Sequence, residues 1–294
     1  MNRLLRDTLR LAPHTLPALL ALLGTLALAG CAGMGSSSPA PVARERIASV
    51  LASPDRAAAD RTNDLRRKPL DLIGFIGLKP GMVALDVSAA GGYTTELLAR
   101  VIGPGGKVYG QNPPPRGAGQ GPRPPAAPEG NSNPALAAPV ANAPRVTLAD
   151  RQRNLAARGD AAPLEIVLRP FEDPVPPELA GRLDVVTLMF NYHDFGHAGV
   201  DRAATNRAVF RALKQGGIFV LADHSGRPGT GISEAGTLHR VEEAFLRREV
   251  EAAGFRLLEA GNFLRIPADP RNRNTPDPPM PKDEFVLKFV KPAN

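Results

Sequence analysis

The fold is decided by the stretch Met82-Val83-Ala84-Leu85-Asp86-Val87-Ser88-Ala89-Ala90-Gly91-Gly92-Tyr93-Thr94-Thr95-Glu96-Leu97-Leu98. Its first part, residues 82–87, is mostly apolar and follows a Lys-Pro-Gly turn, which predicts a buried strand. Its second part has apolar residues at helical spacing and ends at the Gly-Pro-Gly-Gly run of residues 103–106. The small residues between the two parts predict a tight turn. In open α/β sheets the crevice above such a turn binds nucleotide-like ligands near backbone N–H groups.

This turn resembles the first motif of class I S-adenosylmethionine-dependent methyltransferases, an acidic residue followed by three glycines at alternate positions. Asp86 matches the acidic residue and Gly92 the last glycine, while Ser88 and Ala90 stand where the first two glycines are usual. Serine and alanine are small, but neither adopts positive φ as readily as glycine. The resemblance implies that these four residues and Tyr93 bind S-adenosylmethionine as cofactor. A turn of small residues without a ligand is the alternative, and the dinucleotide pattern G-x-G-x-x-G is absent.

The remaining apolar segments predict further strands, which alternate with helices up to the fifth strand. They cover residues 107–112, 164–168, 183–190, 218–222, 255–263 and 285–290. Five strands joined by helices require a parallel sheet with right-handed crossovers, and the last two strands are expected to pair antiparallel at one edge. An apolar stripe over residues 238–253 predicts an amphipathic helix. The order resembles the Rossmann-like α/β fold of class I methyltransferases, with a mostly parallel seven-stranded sheet, an antiparallel edge strand and helices on both faces.

Two polar segments follow neighbouring central strands. Asn191-Tyr192-His193-Asp194 comes after the fourth strand and Asp223-His224-Ser225 after the fifth, and both resemble motifs of uncharacterised bacterial methyltransferase-like proteins. Because the carboxyl ends of parallel strands meet at one edge, both segments should face the crevice beside the turn. His193 or His224 could then take a proton from a nucleophile while Asp194 or Asp223 orients the imidazole. The alternative is that these side chains only cap loops.

The resemblance also implies cofactor contacts outside the turn. Gln111 and Asn112 end the second strand, where the family usually carries an acidic residue for the ribose hydroxyls, and an amide binds a diol less strongly than a carboxylate. Glu172 stands where an acidic or polar residue commonly contacts the adenine in this family. The resemblance also places Asn191 among the cofactor-binding residues.

A metal site at residues 193–197 is a further alternative, and the sequence argues against it. His193 and His197 are four residues apart, with Asp194 between them, and such a pair aligns on one metal only if the segment is helical. The segment follows a strand and contains Gly196, which argues against a helix there.

Residues 1–30 are predicted to be a signal peptide, because a basic start precedes the apolar run Leu16–Leu28. The run ends in Leu-Ala-Gly-Cys, which resembles the bacterial lipoprotein signal and implies acylation of Cys31, the single cysteine of the chain. Residues 31–41 are expected to form a flexible tether from the lipid bilayer. Ala32, by the same resemblance, favours the periplasmic face of the outer membrane. An ordinary secretory leader is the alternative.

Composition and length limit the functions and the number of domains that the remaining residues can have. The formal net charge is +7, but aromatic residues make up only 5% and the arginines are scattered, so no nucleic-acid surface is predicted. Residues 42–294 are long enough for one methyltransferase-like domain. The Pro-, Gly- and Ala-rich segment 113–144 is expected to be an extended insertion, either passive or acting as a lid.

The predicted function is a methyltransferase acting on a small molecule or an envelope component, and the alternative is a non-catalytic binding module of the same fold. The oligomeric state does not follow from the sequence.

Overall fold

The computed structural model describes residues 39–115, 146–274 and 281–293. The predicted signal peptide, Cys31, most of the tether and most of the 113–144 insertion lie outside these residues. Among the helices of the described ranges, none has the length and apolar character needed to cross a membrane.

A seven-stranded sheet forms the centre of the described structure. Its strands are β1 (Val83–Val87), β2 (Lys107–Asn112), β3 (Leu164–Leu168), β4 (Leu183–Met189), β5 (Leu213–His224), β6 (Arg256–Gly261) and β7 (Glu284–Val290). They lie in the order β3-β2-β1-β4-β5-β7-β6. Strands β1 to β5 pair in parallel, whereas β7 runs antiparallel to both β5 and β6. The predicted Rossmann-like α/β fold, with a mostly parallel seven-stranded sheet and antiparallel pairing at one edge, is confirmed.

Helices cover both faces of this sheet. They are α1 (Arg44–Ala52), α2 (Ala58–Arg67), α3 (Pro69–Ile76), α4 (Tyr93–Ile102), α5 (Leu148–Arg158), α6 (Tyr192–His197), α7 (Arg202–Ala212), α8 (Ala235–Leu238) and α9 (Glu243–Ala252). One apolar cluster joins α1, α3, α4 and α5 to the sheet, and a second joins α6, α7 and α9 to its other face. Because the central strands are covered on both sides, their residues read as near-continuous apolar runs.

Two local expectations are wrong. Residues 192–197 form the helix α6, although Gly196 argued against it. A Cβ built at Gly196 would lie 2.2 Å from Cγ1 of Ile232, so this glycine permits close packing instead of ending the helix. The helix predicted over residues 238–253 begins only at Glu243, because His239 has a φ of 51° and ends α8 in the left-handed region.

Strand β5 is longer than predicted, and the difference positions the site. Asp223 and His224 are its last two residues, paired with Phe285 and Glu284 of β7. Their backbone is therefore held by strand pairing on the β7 side, and their side chains are fully buried.

Candidate functional site

The turn after β1 has the backbone that its spacing predicts for glycines. Ser88, Ala90 and Gly92 have φ values of 57°, 49° and 82°. The left-handed region costs a residue with a Cβ roughly 1–2 kcal/mol, so the sequence departs from the three-glycine pattern while the conformation keeps it. Ala90 is exposed and Ser88 half-buried, which leaves this side of the turn open to a ligand.

Amide side chains at the end of β2 hold the turn in place. The Ser88 N–H donates to Oε1 of Gln111 at 2.9 Å, and the Ala90 N–H donates to Oδ1 of Asn112 at 2.8 Å. Asn112 Nδ2 donates back to the Ala90 carbonyl at 3.0 Å, and Gln111 Nε2 donates to the Arg169 carbonyl at 2.6 Å. Gln111 is fully buried and is bonded within the protein, whereas Asn112 is half-buried at the edge of the crevice.

Asp86 lies beneath the turn and not within it. Its Oδ2 accepts from Thr95 Oγ1 at 2.6 Å, and its Oδ1 accepts from Thr187 Oγ1 at 2.7 Å. The carboxylate also accepts the Thr95 backbone N–H in the first turn of α4. Burial raises the pKa of Asp86 to about 6, although these hydrogen bonds and the charge of Arg67 favour the ionised form. Asp86 thus ties β1, β4 and the start of α4 together.

Gly92, the last residue of the motif, faces protein. A Cβ built there would lie 2.6 Å from Leu148 Cδ1 and 2.9 Å from Arg151 Cδ, both on α5. Arg151 also donates from Nε to the Gly91 carbonyl at 2.6 Å. The absence of a side chain at Gly92 therefore lets α5 pack against the turn.

Helix α2 brings two arginines to the crevice beside the turn. The guanidinium carbon of Arg67 lies 4.7 Å from the ring centroid of Phe190 and 5.2 Å from that of Tyr93. The Arg67 Nε is buried and has no hydrogen-bond partner. Burial lowers the pKa of Arg67 to about 10, with a further contribution from the charge of Arg66, so the side chain is a cation at neutral pH. Tyr93 donates its hydroxyl to Asp64 at 2.6 Å.

The two predicted polar segments meet at the carboxyl ends of β4 and β5. His193 Nδ1 lies 2.6 Å from Asp223 Oδ1, and both side chains are completely buried. Asp223 also accepts the backbone N–H groups of His193 at 2.9 Å and of His224 at 2.7 Å. A carboxylate against Nδ1 fixes the proton on that nitrogen and leaves Nε2 with the lone pair.

Asp194 and a histidine from outside both segments stand on the other side of His193. Asp194 Oδ1 lies 3.5 Å from His193 Nε2 and 3.4 Å from His239 Nδ1. Asn191 Nδ2 donates to Asp194 Oδ2 at 3.2 Å. We refer to His193, Asp194 and His239 as the His-Asp-His group.

His224 faces a different set of side chains. Its Nδ1 lies 3.1 Å from Glu284 Oε1, and Glu284 pairs with Arg66 at 2.5 Å. Although burial opposes the charge, Arg66 and the His224 hydrogen bond hold the pKa of Glu284 below its usual range. Arg66 stacks over Phe190 at 4.6 Å, so this ion pair borders the same crevice.

The structure therefore brings together most of the residues singled out in the sequence. Glu172 is half-buried in the loop after β3. Sequence reasoning missed His239 and Glu284, which reach the site from distant segments without any motif. Arg66 and Arg67 lie in a charged stretch that matches no motif.

Neither a protein-family model nor a curated protein sequence matches this chain. Similar folds occur among solved structures. An S-adenosylmethionine-dependent methyltransferase from Aquifex aeolicus is 14% identical, with 85% of this chain and 98% of that chain covered and a TM-score of 0.49. The cyclase SpnF is 17% identical, with 83% and 86% covered and a TM-score of 0.49.

An arsenic(III) S-adenosylmethionine methyltransferase from Chlamydomonas reinhardtii is 15% identical, with 87% of this chain and 75% of that chain covered and a TM-score of 0.47. These similarities concern the fold alone.

Proposed function

We propose that this protein is an S-adenosylmethionine-dependent methyltransferase. The observation that carries the proposal is the backbone of the turn after β1. Ser88, Ala90 and Gly92 hold left-handed conformations at alternate positions, at the carboxyl end of the central strand. Two of these residues adopt that conformation at a cost that glycine would not incur. Their retention of the shape supports a ligand that approaches the backbone of this turn.

Arg67 fits the cofactor proposed here. S-adenosylmethionine carries a carboxylate at the end of its methionine moiety. Arg67 is half-buried and offers a guanidinium whose buried Nε has no hydrogen-bond partner, beside Tyr93 at the start of α4. A carboxylate bound there would complete that donor's hydrogen bonding in a site where an unmade bond is costly. We assign the carboxylate to Arg67, the ribose to Asn112 and the adenine to Glu172, while Gln111 positions the turn.

The cofactor, when bound, supplies an electrophilic methyl group. The chain's own contribution is to position the acceptor and to receive its proton. Asn191 and the His-Asp-His group lie on the Phe190 side of the crevice, and Asp223 keeps Nε2 of His193 unprotonated. This atom can take part in removing a proton from a hydroxyl, thiol or amine. We therefore propose a small-molecule acceptor that is protonated before the methyl group is transferred.

A non-catalytic binding module is the second candidate, and one observation favours it. The side chain that the family uses for the ribose is replaced by Gln111, which is buried and bonded within the protein. Such a module would hold a ligand at the turn without transferring a methyl group.

Binding measurements on two arginine variants test the proposed cofactor. Arg67→Met removes the buried cation, and Arg61→Met removes a charge from an exposed position on the same helix. Losing one charge-assisted hydrogen bond should weaken S-adenosylmethionine binding about ten- to a hundredfold. Equilibrium dialysis should show this loss for Arg67→Met and unchanged affinity for Arg61→Met. Equal affinity of both variants and the wild type would contradict the assignment of Arg67.

We also propose that the protein acts in the bacterial cell envelope, anchored by an acylated Cys31. The sequence at residues 28–31 supports this location, which favours an envelope component among the acceptors.

A further inference from the structure

We propose that the His-Asp-His group binds a divalent metal ion, with zinc as the preferred ion. One possible ligand atom from each of these three side chains lies within 4.8 Å of the other two. Two imidazoles and one carboxylate are ligands that zinc and other first-row divalent metals share. The site does not depend on the spacing of His193 and His197. His197 lies against Gly236 of α8 and is not part of the group.

Two of the three ligand–ligand distances are those of a small tetrahedral ion. With metal–ligand bonds of about 2.1 Å, two ligands of a tetrahedral zinc ion lie about 3.4 Å apart. Asp194 Oδ1 is 3.5 Å from His193 Nε2 and 3.4 Å from His239 Nδ1. Neighbouring ligands of an octahedral ion with equal bonds would be closer, about 3.0 Å apart. The two measured distances therefore favour zinc over magnesium.

Neighbouring side chains orient two of the ligands, as is usual at metal sites. Asp223 Oδ1 lies 2.6 Å from His193 Nδ1, so the lone pair of the imidazole is on Nε2, the ligating atom. Asn191 Nδ2 donates to Asp194 Oδ2, which leaves Oδ1 directed at the two histidines. The buried carboxylate of Asp223 also balances charge, because two neutral histidines and one carboxylate leave a divalent ion with one positive charge.

The exposure of the ligands indicates where the fourth position lies. The side chains of His193 and His239 are 0% and 5% exposed, whereas that of Asp194 is 30% exposed. An ion held by these three residues would be buried on the histidine side and accessible on the carboxylate side. Three protein ligands with one open position are typical of catalytic zinc sites, whereas structural sites have four protein ligands.

An open zinc position next to the crevice suggests a role in the proposed reaction, and this step rests on the proposed function. Zinc lowers the pKa of bound water to about 7, and it would act in the same direction on an acceptor bound through oxygen or sulfur. With zinc on Nε2 of His193, the acceptor's proton would pass to solvent and not to this nitrogen. The acceptor's oxygen or sulfur would then form a bond to the methyl carbon while the bond from that carbon to the sulfonium sulfur breaks, and the demethylated cofactor would leave with that electron pair. This narrows the proposed acceptors to alcohols, phenols and thiols that can bind zinc.

Zinc binding to the purified full-length protein tests the site without any cofactor. After dialysis against a chelator, Zn²⁺ alone is titrated by calorimetry, and bound metal is counted by elemental analysis. We expect one ion per chain. His239→Ala and Asp194→Asn should each weaken binding on the order of a hundredfold or more, because a side chain bound directly to the metal matters at least as much as the side chains that orient it. His197→Ala is the matched control, since it removes a histidine from α6 outside the group, and it should bind like the wild type.

A cobalt spectrum makes the test independent of the folding of the variants. Co²⁺ added to the chelated wild type should give the strong visible absorption of a four-coordinate site, and Zn²⁺ should displace it. Wild-type protein that binds neither ion, or equal binding by wild type, His239→Ala and His197→Ala, would overturn the proposal. Because no S-adenosylmethionine is present, this outcome is separate from failure of the proposed methyltransferase function.

Discussion

At the scale of single residues, the turn after β1 lacks two of the three glycines of the pattern but has the backbone conformation that glycines would adopt there. Ser88 and Ala90 stay in the left-handed region, and the backbone N–H of each donates a hydrogen bond to a side-chain amide oxygen at the end of β2. These bonds, from Gln111 and Asn112, offset part of the conformational cost. The two amides therefore have a structural role that a carboxylate would fill differently.

The strain at Ala90 predicts an unusual effect of glycine on stability. Ala90→Gly removes a Cβ from a left-handed, exposed residue, so it should raise the free energy of unfolding by up to about 1 kcal/mol. Ala48→Gly is the control, because Ala48 is exposed in the middle of α1, where glycine should lower stability by about 1 kcal/mol. Urea denaturation checks both variants. A loss of stability in both would show that Ala90 is not strained.

Asp86 predicts a pH dependence of stability. Burial raises its pKa to about 6, above the value of 3.8 for an ordinary aspartate, so the folded state favours the protonated form. Its stabilising contribution is complete below about pH 4 and is lost as the pH rises through 6. The free energy of unfolding of the wild type, minus that of Asp86→Asn, should fall by about 1.4 kcal/mol between pH 5 and pH 7.5. A difference that grows with pH would contradict this.

The sequence located these residues but not their partners. Asp86 was predictable because a single acidic residue ends an apolar strand before a turn. Its contact with Thr187 was not, because the two residues are about a hundred positions apart and meet only when β4 pairs with β1. The hydrogen bond from the Ser88 N–H to Gln111 was not predictable for the same reason, because it forms only when β2 pairs with β1.

At the scale of elements, the packing of α5 on the turn is the contact that needs Gly92. Leu148 and Arg151 occupy the space where a side chain at Gly92 would lie. Arg151 is buried and pairs with Asp60 of α2 and Glu96 of α4. One arginine thus joins α2, α4 and α5 around the turn, and an unpaired charge left there would be costly.

Two glycines with the same backbone preference test this packing. Gly92→Ala and Gly77→Ala both place a Cβ on a residue in the left-handed region, with φ of 82° and 77°. A Cβ at Gly77 meets nothing within 4 Å, so that variant should lose only about 1–2 kcal/mol. Gly92→Ala should lose a further 1–3 kcal/mol from overpacking against α5. Chemical denaturation checks the difference, and equal losses would show that α5 moves aside at no cost.

The helices and strands that could be predicted from the sequence are those with a clear apolar pattern. The strands were found because buried parallel strands are short apolar runs between turns. Helix α6 was missed because Gly196 resembles a helix breaker, and only its contact with Ile232 explains it. The end of α8 at His239 was not predicted, because the apolar stripe continues across it. This helix end places His239 in the His-Asp-His group.

At the scale of the whole molecule, the candidate site is assembled from segments that are far apart in the chain. Arg66 and Arg67 come from α2, His193 and Asp194 from α6, and Glu284 from the last strand. The sheet order makes this possible, because β1, β4 and β5 are adjacent and end at the same edge. The sequence therefore predicted where the site lies, while the arginines and acids around it depended on the tertiary structure.

The envelope location predicts the behaviour of a cysteine variant. Because Cys31 is the single cysteine, Cys31→Ser removes the only residue that a thioether-linked lipid could modify. The variant should leave the membrane fraction after cell fractionation, whereas Ser36→Ala, a nearby change that keeps the cysteine, should remain with it. A variant still bound to membranes would contradict anchoring through Cys31.

The central claim is that the turn at Ser88, Ala90 and Gly92 binds S-adenosylmethionine. The most direct measurement is titration calorimetry of the purified wild-type protein with S-adenosylmethionine and with its demethylated product. We expect saturable binding of one molecule per chain for both compounds, with a dissociation constant below about 1 mM, equivalent to roughly −4 kcal/mol. Absence of saturable binding of either compound at millimolar concentration would contradict the claim and favour the non-catalytic binding module.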